Sequence, residues 1–164
     1  ANFSTETNQQ ALRFLLNEVW PKIRMVEPSS TLAIAGRNLD SHSHKSSSEG
    51  IAFLGEVTNA IETTRAAWVS LNPVRASAGM QNKVLTALAA NCHVVATRVS
   101  VEGMSIPDEL VMRVSTSAVD LAEAAIIALG QAKSSSGNER QDYVRKNWGW
   151  DSLHKRWLNE FLLS

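Results

Sequence analysis

The chain has 164 residues, 44% apolar and 20% charged, and its 16 basic and 16 acidic side chains cancel to a formal net charge of zero. That length suits one domain with one core, and the charge balance argues against a nucleic-acid partner or a polybasic membrane footprint, either of which selects a net positive face. A single cysteine, Cys92, excludes an internal disulfide and a cysteine-built metal site; beside a β-branched run it reads as a small buried hydrophobe, and the lack of disulfides fits a cytoplasmic protein. No apolar run approaches the roughly 18 residues that span a bilayer, and no signal peptide is recognisable. The sequence starts a few residues before a helix, so it reads as a fragment of a longer protein.

In chain order, the first element is a helix that Ser4 or Thr5 can cap, with Leu12, Leu15, Leu16 and Val19 on one side at helical spacing. Pro21 is expected to interrupt it after Trp20, and Pro28 to end the segment. The apolar run Thr31 to Ala35, closed by Gly36, reads as a buried strand. The serine-rich stretch from Arg37 to Gly50 reads as a loop; its His42 and His44 are read as solvated, since no third metal ligand follows at a recognisable spacing. Ile51 to Gly55 is a second strand, Asn59 to Arg65 a short helix, and Ala66 to Pro73 a third strand. A small-residue loop around Gly79 leads into a helix over about Gln81 to Ala90. His93 to Thr97 is a fourth strand and Glu109 to Val114 a weaker fifth. A strong helix with Leu121, Ala124, Ala125, Ala128 and Leu129 on one side follows, then a turn, then two final helices, Glu139 to Asn147 and Asp151 to Leu163.

Short apolar strands separated by helices predict an α/β fold: a parallel sheet covered on both faces, with a helical C-terminal tail. Ligands of such sheets bind at the carboxyl ends of the strands. The Gly79 loop is the leading candidate there. A helix starting near Met80 offers free N–H groups and the positive end of its dipole to a diphosphate. Gly79 permits close backbone approach, and Lys83 and Arg75 supply charge to phosphate oxygens. An ordinary strand–turn–helix with solvated basic residues would look the same, because the loop is neither a Walker loop nor G-x-G-x-x-G. Gly36 with Arg37, and Glu102 with Gly103 after the fourth strand, sit on the same rim, where turns and surface charges are the plain alternative. No Ser/His/Asp set and no closely spaced carboxylate pair is recognisable, so the residues alone indicate binding of something phosphorylated, without complete catalytic machinery.

The ordered pattern that begins with Asn8, runs through "WP" and "LAIAG", then "I.FLG.V", "LNP.R", "GMQNKVLTALA", "VVAT" and "EGM", and closes on a distal Trp resembles the C-terminal domain of the retaining glycosyltransferases of family 4, or group 1. The resemblance spans about Asn8 to Trp157, and "GMQNKVLTALA" is its most specific part. It implies a Rossmann-like domain over residues 1–164, one half of a GT-B architecture, that binds a nucleoside-diphosphate sugar. An N-terminal acceptor domain, outside this chain, would complete the enzyme and provide any peripheral membrane association. Carried over by position, Gly79, Met80, Gln81 and Lys83 lie at the diphosphate, with Arg75 before them. Gly36 ends the strand flooring the donor pocket, with Arg37 beside it on the rim where it could hold a phosphate or a sugar, and Gly55 and Glu56 open the loop near the nucleobase. No cofactor or metal is implied. The full-length protein would be a hexosyltransferase of the polysaccharide-biosynthesis type, with sugar passing to a glycan, lipid or small acceptor and retention at the anomeric carbon; the fragment alone would be inactive.

Three departures stand out. The family glutamate that holds the donor ribose falls on Thr86, a basic residue before the glycine falls on Ala78, and a "G-x-P" falls on Asn91, Cys92 and His93. Exchanging a carboxylate grip for one hydroxyl costs about 1.5–3 kcal/mol, roughly ten- to a hundredfold in affinity. The competing expectation is a degenerate domain that binds nucleotide without turnover or scaffolds a partner; a sugar-nucleotide epimerase of the same architecture is a third.

Overall fold

The computed structural model describes residues 1–39, 50–76, 82–134 and 137–149. Every strand pairing in it is parallel. Strands β1 (Leu32–Ala35) and β2 (Ile51–Gly55) form one pair, and β3 (Val69–Asn72), β4 (His93–Thr97) and β5 (Val111–Val114) form a three-stranded sheet in that order. Helices α1 (Glu6–Phe14), α2 (Trp20–Val26), α3 (Ala60–Arg65), α4 (Asn82–Ala89), α5 (Ala118–Ala132) and α6 (Glu139–Trp148) surround them. This is the α/β arrangement of parallel strands flanked by helices that the sequence predicts.

β4 explains the layering. All five of its residues are buried, as expected of a central parallel strand covered on both faces. Side chains alternate across a strand. Val95 accordingly packs with Phe14, Val19, Trp20, Ile23, Leu121 and Ala125 on the face covered by α1, α2 and α5. Val94 and Ala96 pack with Val84, Ala87 and Leu88 of α4 on the other face. Ser117 caps α5, its hydroxyl accepting from the N–H groups of Val119 and Asp120, and Asn59 caps α3 in the same way.

The first helix is not interrupted at Pro21. It continues to Val26 through a π-helical stretch, Leu15–Val19, in which Trp20 N–H bonds back to the carbonyl of Leu15. A proline ring clashes with the carbonyl four residues earlier and has no N–H to offer it. The wider π turn relieves both problems and lets one apolar face run on past the proline. Thr5 takes the N-cap position of α1, but its side chain makes no capping bond; its hydroxyl donates instead to the carbonyl of Asn2.

α6 docks where β4 begins. A guanidinium has only donors, so the Arg140 Nη2 contact at 3.0 Å makes His93 Nδ1 an acceptor and places the neutral ring's proton on Nε2. Asn91, at φ +58°, donates from Nδ2 to the carbonyl of Gly137 at 2.6 Å, and Tyr143 Oη donates to the carbonyl of Ser105. The expected last helix, Asp151 to Leu163, lies outside the described residues, as do His42 and His44.

The His93–Arg140 contact carries a pH dependence. Burial, and then the Arg140 charge, lower the proton affinity of the imidazole. The unfolded chain therefore takes up a proton near the ordinary value of about 6.5, which the folded chain refuses. Stability is full above that pH and falls as pH drops through it. Thermal unfolding of the chain should shift to lower temperature between pH 7.5 and 5.5, and His93→Gln should remove most of that slope; an unchanged slope would place the titrating group elsewhere.

Candidate functional site

The carboxyl ends of the strands bring several predicted residues to one rim, but not as one cluster. Gly79, Met80 and Gln81 lie outside the described residues. Lys83 sits in the first turn of α4 and turns toward α1, its Nζ donating to Asn8 Oδ1 at 2.7 Å. Burial lowers the proton affinity of the ammonium. Among the described residues no carboxylate pairs with it. A half-buried cation with only a neutral partner is electrostatically unfinished, since desolvation penalises its charge and no counter-charge offsets it.

Arg75 follows β3 and also turns toward α1, with its guanidinium 4.9 Å from the centroid of the Phe14 ring. It borders a cleft of about 290 Å³ whose other walls include Thr7, Gln10, Arg13 and Glu18. α1 therefore holds both candidate phosphate cations, Lys83 through Asn8 and Arg75 through Phe14. Asn8 was legible only as the first residue of the family-like pattern; its partner lies 75 residues away, beyond any local spacing rule.

Gly36 is buried, and a Cβ there would stand 2.7 Å from Phe3 Cε2 and closer still to the carbonyl of Ala1. Its requirement for glycine comes from residues 1–3, which lie beside the end of β1. Arg37 N donates to Ala1 O at 2.8 Å and Phe3 N to Arg37 O at 2.9 Å. Gly55 ends β2 at φ +67° with open space around it, so there the backbone alone favours glycine. Arg37 and Glu56 leave neighbouring strands and meet at 3.9 Å, both about two-thirds exposed, a geometry that contributes little stability.

Thr86 lies one turn beyond Lys83 on the same side of α4. Its hydroxyl donates to the carbonyl of Asn82 at 3.0 Å, leaving only oxygen lone pairs for another partner. Glu102 is exposed after the 3-10 turn Arg98–Val101, and Gly103 follows at φ +75°. A residue missed by the sequence reading is Asn72, the last of β3. It is 3% exposed, and among the described residues neither its Oδ1 nor its Nδ2 has a hydrogen-bond partner. A carboxamide left so costs about 1–3 kcal/mol. Next to it, Thr97 Oγ1 donates to the carbonyl of Val74 and pins the start of the loop to the end of β4.

The departures at Asn91, Cys92 and His93 lie at the opposite, amino-terminal end of β4. Each is accounted for by local structure. Asparagine is among the few residues that tolerate the left-handed conformation found at 91. His93 N donates to Trp68 O at 3.2 Å, a bond that proline could not make. Cys92 is buried beside the carbonyl of Ala67, and burial pushes its thiol up to about 12.

Among the described residues no three His, Cys, Asp or Glu side chains gather as metal ligands, and no helix is long and apolar enough to cross a membrane. A family model described as glycosyl transferases group 1 matches residues 1–131. No curated protein matches the chain.

With so small a thiolate fraction, Cys92 should react with an aromatic disulfide reagent at pH 8 about a thousandfold more slowly in the folded chain than in urea. Comparable rates in the two states would contradict its burial.

Proposed function

The chain belongs to the group 1 glycosyl transferases, and we propose that within that family it is the donor-binding half of a retaining enzyme, taking a nucleoside-diphosphate sugar. The observation that carries this reading is Lys83, a half-buried ammonium in the first turn of α4, held by a neutral amide and, among the described residues, lacking a carboxylate. A diphosphate supplies the missing negative charge.

In this reading the N-terminal turn of α4 faces the diphosphate with its backbone N–H groups and dipole. Lys83 adds a charge-assisted hydrogen bond to a phosphate oxygen. As the bond from the anomeric carbon to the phosphate oxygen breaks, negative charge builds on the leaving diphosphate. Lys83 and the helix end favour that state over the bound substrate, which is how fixed donors lower a barrier. Arg75, over the Phe14 ring, is a second cation for the diphosphate in this reading. The scheme requires no metal. The acceptor belongs to a second domain of the full protein, on the pattern of the resemblance, and the sugar passes to a glycan, lipid or small molecule on the cytoplasmic side.

Thr86 gives the competing reading its specific support. With its proton committed to Asn82 O, it offers ribose hydroxyls only the lone pairs of one neutral oxygen, without the charge or the second oxygen of a carboxylate, as a degenerate domain would show.

A thermal-shift panel with UDP, GDP, ADP, CMP and inorganic phosphate separates the two. A ligand at ten times its dissociation constant stabilises by about 1.4 kcal/mol, or about 3–6 °C for a domain of this size. We expect one nucleoside diphosphate to produce that shift and Lys83→Ala to reduce it sharply at the same ligand concentration. Thr86→Glu should strengthen binding by roughly ten- to a hundredfold. No shift with any ligand, and none restored by Thr86→Glu, would favour the degenerate domain.

A further inference from the structure

We infer that Asn8 is a positioning residue for donor binding: it fixes the Lys83 ammonium relative to the exits of β1 and β2. The inference rests on the donor-site reading of Lys83, and it names a residue of α1 as part of that site.

The geometry is a relay of amides. Asn38 Nδ2 donates to Asn2 Oδ1 at 3.0 Å. Asn2 offers its backbone carbonyl to Asn8 Nδ2 at 2.7 Å, and Asn8 Oδ1 accepts from Lys83 Nζ at 2.7 Å. The orientation of the Asn8 amide follows from its neighbours. An ammonium has only donors and a carbonyl only accepts, so oxygen must face Lys83 and nitrogen must face Asn2. Both ends of the Asn8 side chain are committed, which holds its rotamer and with it the direction of the lysine. Asn2 is fixed in turn: Ser4 N and Ser4 Oγ both donate to Asn2 Oδ1, at 3.1 and 3.0 Å, and residue 2 bridges Arg37 in parallel register. The relay runs from the β1 exit, where Arg37 meets Glu56, to the first turn of α4.

A lysine has a flexible stem, and a free one would lose much of its charge effect to motion and water. Asn8 restrains it without neutralising it. A carboxylate at this position would bind the ammonium more strongly but would compete with a phosphate for it. The neutral amide therefore matches a cation kept for an anionic ligand. Lys83 retains two N–H donors beyond the one given to Asn8.

The test is a double-variant cycle on the chain, reading affinity for whichever of UDP, GDP or ADP binds, across pH 7 to 10. Asn8→Leu should weaken binding roughly tenfold at pH 7.5, and should cost nothing further when Lys83 is already alanine. The alkaline limb of the profile reports loss of the Lys83 proton. Asn8→Leu removes an acceptor from the charged form and should move that limb to lower pH. Asn8→Asp, nearly isosteric, should move it to higher pH while still weakening the diphosphate contact. Among the described residues the Ala1 amino group senses the charges of Lys83 and Arg37, and Glu56 pairs with Arg37; all are common to every variant, so the opposite movements isolate position 8. Native affinity in Asn8→Leu with a weakened Lys83→Ala would overturn the inference and leave the donor site standing. An equal loss in the presence and absence of Lys83 would also overturn it, as would a limb unmoved by Asn8→Asp. Full affinity in Lys83→Ala would overturn this inference and the donor-site reading together.

Discussion

The constraint on which the rest depends is the burial of β4 from both sides. A parallel strand has no solvent face to spare, so its five residues are apolar or bonded and its alternation divides the helices into two layers. Once β4 is fixed, β3 and β5 flank it in parallel register and all three strands end on the same rim. α4 must then begin at that rim, because it connects the end of β3 to the start of β4. The place of Lys83 follows from the packing of strands that never touch it.

Much of this was legible in the chain. Ile51–Gly55 and His93–Thr97 match the predicted strands residue for residue, and the strong helix begins directly after its cap at Ser117. These segments have one dominant local signal each: an apolar run closed by glycine, a β-branched run, a capped periodic face. Pro21 misled because a local rule was overridden. The π turn before it costs little against the burial of Val19, Trp20 and Ile23 on one continuous face. Gly36 was rightly placed at a strand end, but its cause lies 33 to 35 residues away, at the backbone of Ala1 and the ring of Phe3.

The site was legible in part. The basic character of Lys83 and its helical position are in the sequence; its neutral partner is not, because Asn8 is distant in the chain. Asn72 gave no signal at all, since it reads only as part of the strand Ala66 to Pro73, and only burial shows it, among the described residues, to be an unpaired amide. The departures from the family pattern divide by position. Those at 91–93 lie at the far end of β4 and are accounted for by a left-handed turn and the docking of α6. Thr86 lies one turn from Lys83, at the proposed donor site. Sequence comparison weighs these departures alike, whereas the fold separates exchanges with a local structural cause from one beside the proposed site.

The central claim is that an ammonium held by an amide is reserved for the diphosphate. It is tested most directly by calorimetry of a nucleoside diphosphate against the monophosphate of the same base, on the native chain and on Lys83→Ala. The account predicts tighter binding of the diphosphate to the native chain, and a difference between the two ligands that largely disappears in Lys83→Ala. Equal discrimination by both proteins would contradict it, and would place the phosphate contacts away from Lys83.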